Sequence, residues 1–160
     1  MALGDNTLRS AAGNSQRGRN PYMVQTTLNW ATALSDKGGA LAAADVVPVI
    51  AVPKGTMILN AGIEVDTATD GSTFTVDLGI GVDPDVFVDG FDATSAAAVV
   101  AQNPAAYQPV MAVADDNIDV TIATLSGGAV TSGKFRVWAV MMDCTDMGDT
   151  AANEVARDNA

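Results

Sequence analysis

The sequence predicts an all-β protein, an antiparallel two-sheet sandwich of jelly-roll type with about eight strands. Apolar and polar residues alternate over several short segments, which is the period of a half-buried strand. Turn residues separate these segments at short intervals, as in sandwiches. The 160 residues are 48% hydrophobic and 17% charged, enough for one domain with its own core. We therefore divide the chain into an extended N-terminal arm (1–24), a β-sandwich body (25–143) and a short polar C-terminal tail (144–160).

The body begins with a predicted strand over residues 27–34. Its alternation places Leu28, Trp30 and Leu34 on one face. Residues 35–39, Ser-Asp-Lys-Gly-Gly, then predict a loop.

The second predicted strand covers residues 45–52, a run rich in β-branched residues. Pro48 lacks a backbone donor, so it favours a sheet edge or a bulge. Residues 53–56, Pro-Lys-Gly-Thr, predict a turn.

The clearest strand covers residues 73–80, where apolar and polar side chains alternate without exception until Gly79. The strand before it, 57–65, is separated from it by the turn signal Asp70-Gly71, so the two predict a hairpin. The residues predicted to share one face of the earlier strand are Met57, Leu59, Ala61, Ile63 and Val65.

Three further strands are predicted over residues 107–113, 118–122 and 134–143. The first two are separated by a turn at 115–117. The last places Phe135, Val137, Ala139 and Met141 on one face. Between these strands and the earlier ones, residues 92–102 are ambiguous and could form a helical turn.

A short strand at residues 86–88 is flanked by Asp83, Asp85 and Asp89. Carboxylates in a loop could hold Ca²⁺, which prefers oxygen ligands. Their spacing does not match the EF-hand loop. We interpret them as a solvated loop that keeps an edge strand from pairing wrongly, with Ca²⁺ binding as the alternative.

The arm differs from the body in charge and composition. Residues 1–24 carry a formal charge of +2 within a chain of net charge −11. Arg9, Arg17 and Arg19, with Tyr22 beside them, are candidate partner-binding residues, because guanidinium groups bind carboxylates bidentately. The alternatives are a leader without a role and nucleic-acid binding, which the acidic body disfavours. We therefore expect no nucleic-acid partner.

Several kinds of chemistry have no counterpart in the sequence. The chain contains no histidine, the commonest general base near neutral pH and a common metal ligand. Its single cysteine, Cys144, excludes an internal disulfide and a Cys-rich zinc site. The sequence also lacks a phosphate-binding glycine loop and the roughly 20 apolar residues of a membrane span. We expect no enzyme activity, no cofactor, no membrane association and no small-molecule ligand.

The two tryptophans, Trp30 and Trp138, each lie in an apolar segment. We interpret both as core or interface anchors and not as platforms for a ligand.

Three segments carry a resemblance to a known class of proteins: DVVPVIAVPKGTMILNAGIEV (45–65), TVDLGIGVDPDVFVDG (75–90) and GKFRVWAVMMD (133–143). They resemble virion structural proteins of tailed bacteriophages, notably small head decoration (cement) proteins of phages of aquatic bacteria. The resemblance implies a β-sandwich that is synthesised in the host cytoplasm and binds the outer surface of the capsid. It implies two partners, the major capsid protein and the chain itself, with a trimer as the expected oligomer. It carries over no catalytic residue.

Three other functions are alternatives for a chain with this predicted fold. The first is a carbohydrate-binding or fibre-like adhesin module, which a surface groove with exposed Trp or Tyr would favour. The second is a hydrolase with paired carboxylates in a cleft, one of raised pKa. The third is a virion protein of the tail or of the main shell.

Overall fold

The structure is a computed structural model that describes residues 20–95, residues 109–144 and the backbone of Arg9–Ser10. Predictions for Arg17, Arg19, residues 96–102 and the tail beyond 144 lie outside the described residues. Within them the chain forms nine strands and one helix: β1 (Arg9–Ser10), β2 (Tyr22–Asn29), α1 (Trp30–Lys37), β3 (Val46–Val52), β4 (Thr56–Thr67), β5 (Thr73–Ile80), β6 (Asp83–Asp92), β7 (Val110–Met111), β8 (Asp116–Ser126) and β9 (Lys134–Asp143).

The strands form two facing sheets. Sheet A has the order β1-β3-β8-β5-β6, and sheet B has the order β2-β9-β4-β7. The chain folds back on itself, so that β2 pairs with β9, β3 with β8, β4 with β7 and β5 with β6, all antiparallel. This is the strand order of a jelly roll. The predicted all-β sandwich is confirmed, and β1 adds a short parallel strand beside β3.

The strand predicted over residues 27–34 is wrong in its second half, because the chain becomes helical at Trp30. The side chain of Asn29 caps this helix by accepting a hydrogen bond of 3.0 Å from the Ala31 N–H. Gly38 ends it in the left-handed conformation at φ 68°, which glycine adopts without strain. Leu28, Trp30 and Leu34 follow the alternation of a strand, but the capping residues Asn29 and Gly38 favour a helix here.

The hairpin predicted across Asp70-Gly71 is also wrong, because β4 belongs to sheet B and β5 to sheet A. Asp70 fixes this crossing by accepting backbone hydrogen bonds from Thr131 and Ser132 at 2.8 and 3.1 Å. Hydrogen bonds from the Thr131 hydroxyl and from these N–H groups lower the pKa of Asp70 to about 2. The hairpin that does form joins β5 to β6 across Gly81-Val82.

A bulge in β4 changes which side chains face outward. The register of β4 against β9 shifts between Ile58 and Asn60, so Leu59 is an extra residue. One extra residue reverses the alternation, since side chains in a strand have a period of two. The predicted face is correct from Ala61 onwards, but Met57 lies on the opposite, outer face while Ile58 is buried.

Other predicted strands are confirmed. β3 has a register shift after Pro48, as a residue without a backbone donor favours. β9 spans the predicted residues 134–143 and buries its predicted apolar face. The strand predicted over 107–113 contains β7, which pairs with β4 in sheet B.

An aromatic cluster joins the two sheets at one end of the core. Trp30 is fully buried at the start of α1, between Phe74 of sheet A and Phe135 of sheet B. Its ring meets theirs edge to face, at centroid distances of 4.9 and 5.4 Å. Such contacts add to the stabilisation that burial already provides.

Candidate functional site

The two sheets differ sharply in charge. The four long strands of sheet A, β3, β5, β6 and β8, carry seven acidic residues and no Lys or Arg: Asp77, Asp83, Asp85, Asp89, Asp92, Asp116 and Asp119. The strands of sheet B carry three acidic and two basic residues: Glu64, Asp66, Asp143, Lys134 and Arg136. One side of the body is therefore strongly acidic and the other nearly neutral.

The outer surface of sheet B is apolar over much of its width. Met23 of β2 lies opposite Val140 of β9, and Met57 of β4 lies between Met142 of β9 and Met111 of β7. Met23 is 61% exposed and Met111 is 40% exposed. Together with Trp138 these side chains form one surface, here called the methionine face: Met23, Met57, Met111, Trp138, Val140 and Met142.

Trp138 occupies this face because Gly62 lies beneath it. A Cβ atom on Gly62 would come within 2.6 Å of Cζ2 of Trp138, closer than real contacts allow. The missing side chain thus lets the indole ring lie against the strand. Beside it, Arg136 and Glu64 form an ion pair of 2.9 Å that bounds the apolar surface with opposite charges.

The two tryptophans, which we interpreted alike from the sequence, lie in different environments. Trp30 is a core residue, whereas Trp138 is half-buried on the outer face of sheet B. The sequence interpretation missed the methionine face as a unit. One signal was present: the alternate residues of β9 opposite its buried face include Trp138, Val140 and Met142, none of them charged.

The predicted arm residues fall in different places. Tyr22 opens β2 and packs against the core, so residues 22–24 belong to the sandwich. The backbone of Arg9 lies in β1, paired with Ile50 at the edge of sheet A. Their part in partner binding stays a prediction.

The acidic residues proposed as a solvated loop lie in a strand. Asp83, Asp85 and Asp89 belong to β6, the edge strand of sheet A. A hydrogen bond between the carboxyl groups of Asp83 and Asp85 raises the pKa of Asp83. Among the described residues, no group of three or more carboxylates or thiols is placed to hold a metal ion.

Asp119 lies on the outer face of sheet A, directly opposite Gly79. The start of β6 crosses this part of the sheet, since a Cβ on Gly79 would lie 2.2 Å from the Asp83 carbonyl oxygen. Burial, and then the nearby Asp116 carboxylate, raise the pKa of Asp119 to about 6. The strands around Asp119, β3, β5 and β6, carry no Lys or Arg that would form an ion pair with it. β5 carries a further carboxylate, Asp77.

Replacing Asp119 by asparagine is expected to stabilise the protein by about 1 kcal/mol at pH 7.5, after allowance for solvent screening. The pKa is higher in the folded than in the unfolded state, so the ionised form costs stability. This cost is absent below the unfolded value of 3.8 and develops as the pH rises towards about 6. Urea unfolding of the wild type and of Asp119→Asn, at a pH near 3.8 and at about pH 7.5, measures this difference in stability.

The exposed carboxylate of Asp66 offers a matched control, since Asp66→Asn makes the same chemical change on an open surface. Equal effects of both substitutions, or an effect of Asp119→Asn that does not change with pH, would contradict the role given to burial.

An open depression of about 420 Å³ lies where β3 ends and β8 begins. Its lining contains no aromatic side chain: Ala51, Val52, Pro53, Asp115, Asp116 and Asn117. It therefore lacks the stacking platform that favours a carbohydrate-binding site. No helix in the described ranges is long and apolar enough to cross a membrane.

The sequence matches no family model and no curated protein. The fold, in contrast, matches solved structures. A chain of the cyanophage Pam1 capsid asymmetric unit aligns with a TM-score of 0.58 at 17% identity, over 83% of this chain and 91% of that one. The chain shares its fold with a phage capsid component. A chain of the Ralstonia phage GP4 capsid aligns with a TM-score of 0.52 at 18% identity, over 79% and 84%.

Both alignments span most of each chain, so the similarity concerns the whole sandwich and proteins of comparable length. At this identity the comparison concerns the fold. Both structures are phage capsids, and the three sequence segments resemble phage virion proteins.

Proposed function

We propose that this chain is a non-catalytic structural protein of a bacteriophage virion, a decoration (cement) subunit on the outer surface of the head. In this role it binds the major capsid protein and stabilises contacts between shell subunits. One observation carries the proposal: a sandwich with the fold of two capsid chains has one strongly acidic sheet and one nearly neutral, methionine-rich sheet.

This division of charge suits a protein that is fixed to a surface. Four exposed carboxylates of β6 keep the outward side hydrated and discourage contact with other particles: Asp83, Asp85, Asp89 and Asp92. The nearly neutral sheet B leaves a side on which protein contacts can form without desolvating many charges.

The arm supplies the contact with the shell. The two residues of the arm that form β1, Arg9–Ser10, run beside β3 at the edge of sheet A and add no strand to the core. Arg9, Arg17 and Arg19 then bind carboxylates of the shell, and Tyr22 anchors the start of β2. Repeated binding over an icosahedral shell allows each contact to be weak.

The proposal is tested with heads of the source phage that lack this chain through deletion of its gene. The purified chain is added, and the heads are recovered by sedimentation. We expect the chain to sediment with the heads at a fixed number of copies and to raise the temperature at which they open.

An unrelated acidic protein of similar size serves as control for trapping in the pellet. Heads that leave the chain in the supernatant and open at an unchanged temperature would overturn the proposal.

A further inference from the structure

We propose that the methionine face is the surface through which copies of this chain bind one another. Binding between copies involves this chain alone and does not depend on binding to a phage head. Three properties of the face support it: its extent across four strands, its charge and its methionine side chains.

The apolar surface crosses sheet B from β2 to β7, with Asn60 of β4 as a polar residue opposite Val140. Met23 and Val140 are direct partners in the ladder, and so are Met57 and Met142 on the next strand pair. Met111 extends the row to the opposite edge strand. Contiguous apolar surface of this kind is rare on a protein without partners.

The distribution of charge favours sheet B as the side on which a second copy binds. Two chains of net charge −11 repel each other, and approach through sheet A would bring seven carboxylates against seven. Approach through sheet B brings together strands that carry both charge signs in nearly equal number: Lys134, Arg136, Glu64, Asp66 and Asp143. Both charge signs are present on the face, so a rotated copy presents opposite charges to it.

Methionine suits such a surface. Its unbranched thioether side chain adapts to an identical neighbour without demanding one exact fit. The half-buried Trp138 ring, held against Gly62, adds a rigid contact near the middle of the face. The bulge at Leu59 places the side chain of Met57 on this outer face.

The size of the face sets the expected affinity. The strands β2, β4 and β9, of 8, 12 and 10 residues, and the two-residue β7 lie about 4.8 Å apart and cover on the order of 500 Å². Standard interfaces bury about 800 Å² per partner, so this one is modest. We expect a dissociation constant on the order of micromolar.

Sedimentation velocity of the full-length chain over a range of concentrations tests the proposal. The wild type is expected to self-associate, and Met23→Glu to weaken association at least tenfold. Val82→Glu is the matched control, because Val82 is 87% exposed at the β5–β6 turn of the opposite sheet and undergoes the same chemical change. We expect it to leave association unchanged.

Salt provides a second readout. Raising the salt concentration from about 0.05 to about 0.5 M screens repulsion between the acidic bodies, so it is expected to strengthen an apolar interface. Association held by the arginines of the arm would weaken instead, and deletion of residues 1–20 would abolish it.

A wild-type chain that stays monomeric, or equal behaviour of Met23→Glu and Val82→Glu, would overturn the inference. If Met23→Glu does not fold, Met111→Glu on the other edge strand replaces it. A monomer that still sediments with phage heads would refute self-association and leave the proposed function standing. An oligomer that does not sediment with phage heads would refute the proposed function and leave self-association supported.

Discussion

Replacing Trp30 by alanine is expected to lower the free energy of unfolding by about 3–5 kcal/mol, a large share of the stability of an ordinary domain. Trp30 is fully buried, and it is the ring that touches both Phe74 of sheet A and Phe135 of sheet B. Its removal opens a cavity where α1 and the two sheets meet. Urea unfolding followed by circular dichroism measures the loss.

Two further variants make this prediction specific. Trp30→Phe keeps an aromatic ring and removes an indole N–H that has no hydrogen-bond partner among the described residues, so we expect it to cost less, about 1–2 kcal/mol. Trp138→Ala removes the same side chain from the half-buried outer face and is expected to cost about 1 kcal/mol. Similar losses for Trp30→Ala and Trp138→Ala would contradict the separation of core and surface roles.

Removing residues 1–20 is expected to abolish binding to phage heads while the body stays folded. The eight strands of the jelly roll begin at Tyr22, so the deletion removes the two-residue β1 and no strand of the core. The arm nevertheless contains Arg9, Arg17 and Arg19, the groups proposed to bind the shell. Sedimentation with heads that lack the chain measures binding, and thermal unfolding checks the fold.

A triple substitution of these arginines by glutamine keeps the length of the arm and removes its positive charge. We expect it to weaken binding to heads at least tenfold, and binding by the wild type to fall as salt rises. Undiminished binding by the truncated chain would show that the body alone binds the shell.

The location of most strands could be predicted from local patterns. β9 matches the predicted residues 134–143, and the bulge after Pro48 follows from the missing backbone donor of proline. These features depend on neighbours in the chain, and alternation is itself a local property. Trp30 shows where alternation fails, since the Asn29 cap and Gly38 start and end a helix there.

The side chains that face outward were harder to predict from the sequence. Met57 was assigned to the buried face because alternation was extended through Leu59, and a bulge is visible only once the partner strand is known. Trp138 and Trp30 have similar sequence surroundings, yet Gly62 lies beneath one and two phenylalanines surround the other. Such neighbours are distant in sequence.

Local patterns were enough to predict an all-β sandwich, and the composition showed an acidic body, a basic arm and no histidine. The division of the strands between the two sheets became visible only in the folded chain, where β4 and β5 separate at Asp70 and do not form a hairpin. The physical reason is that both sheets of a sandwich bury one face, so strands of either sheet show the same alternation. The division of charge between an acidic sheet A and a methionine-rich sheet B follows from that pairing.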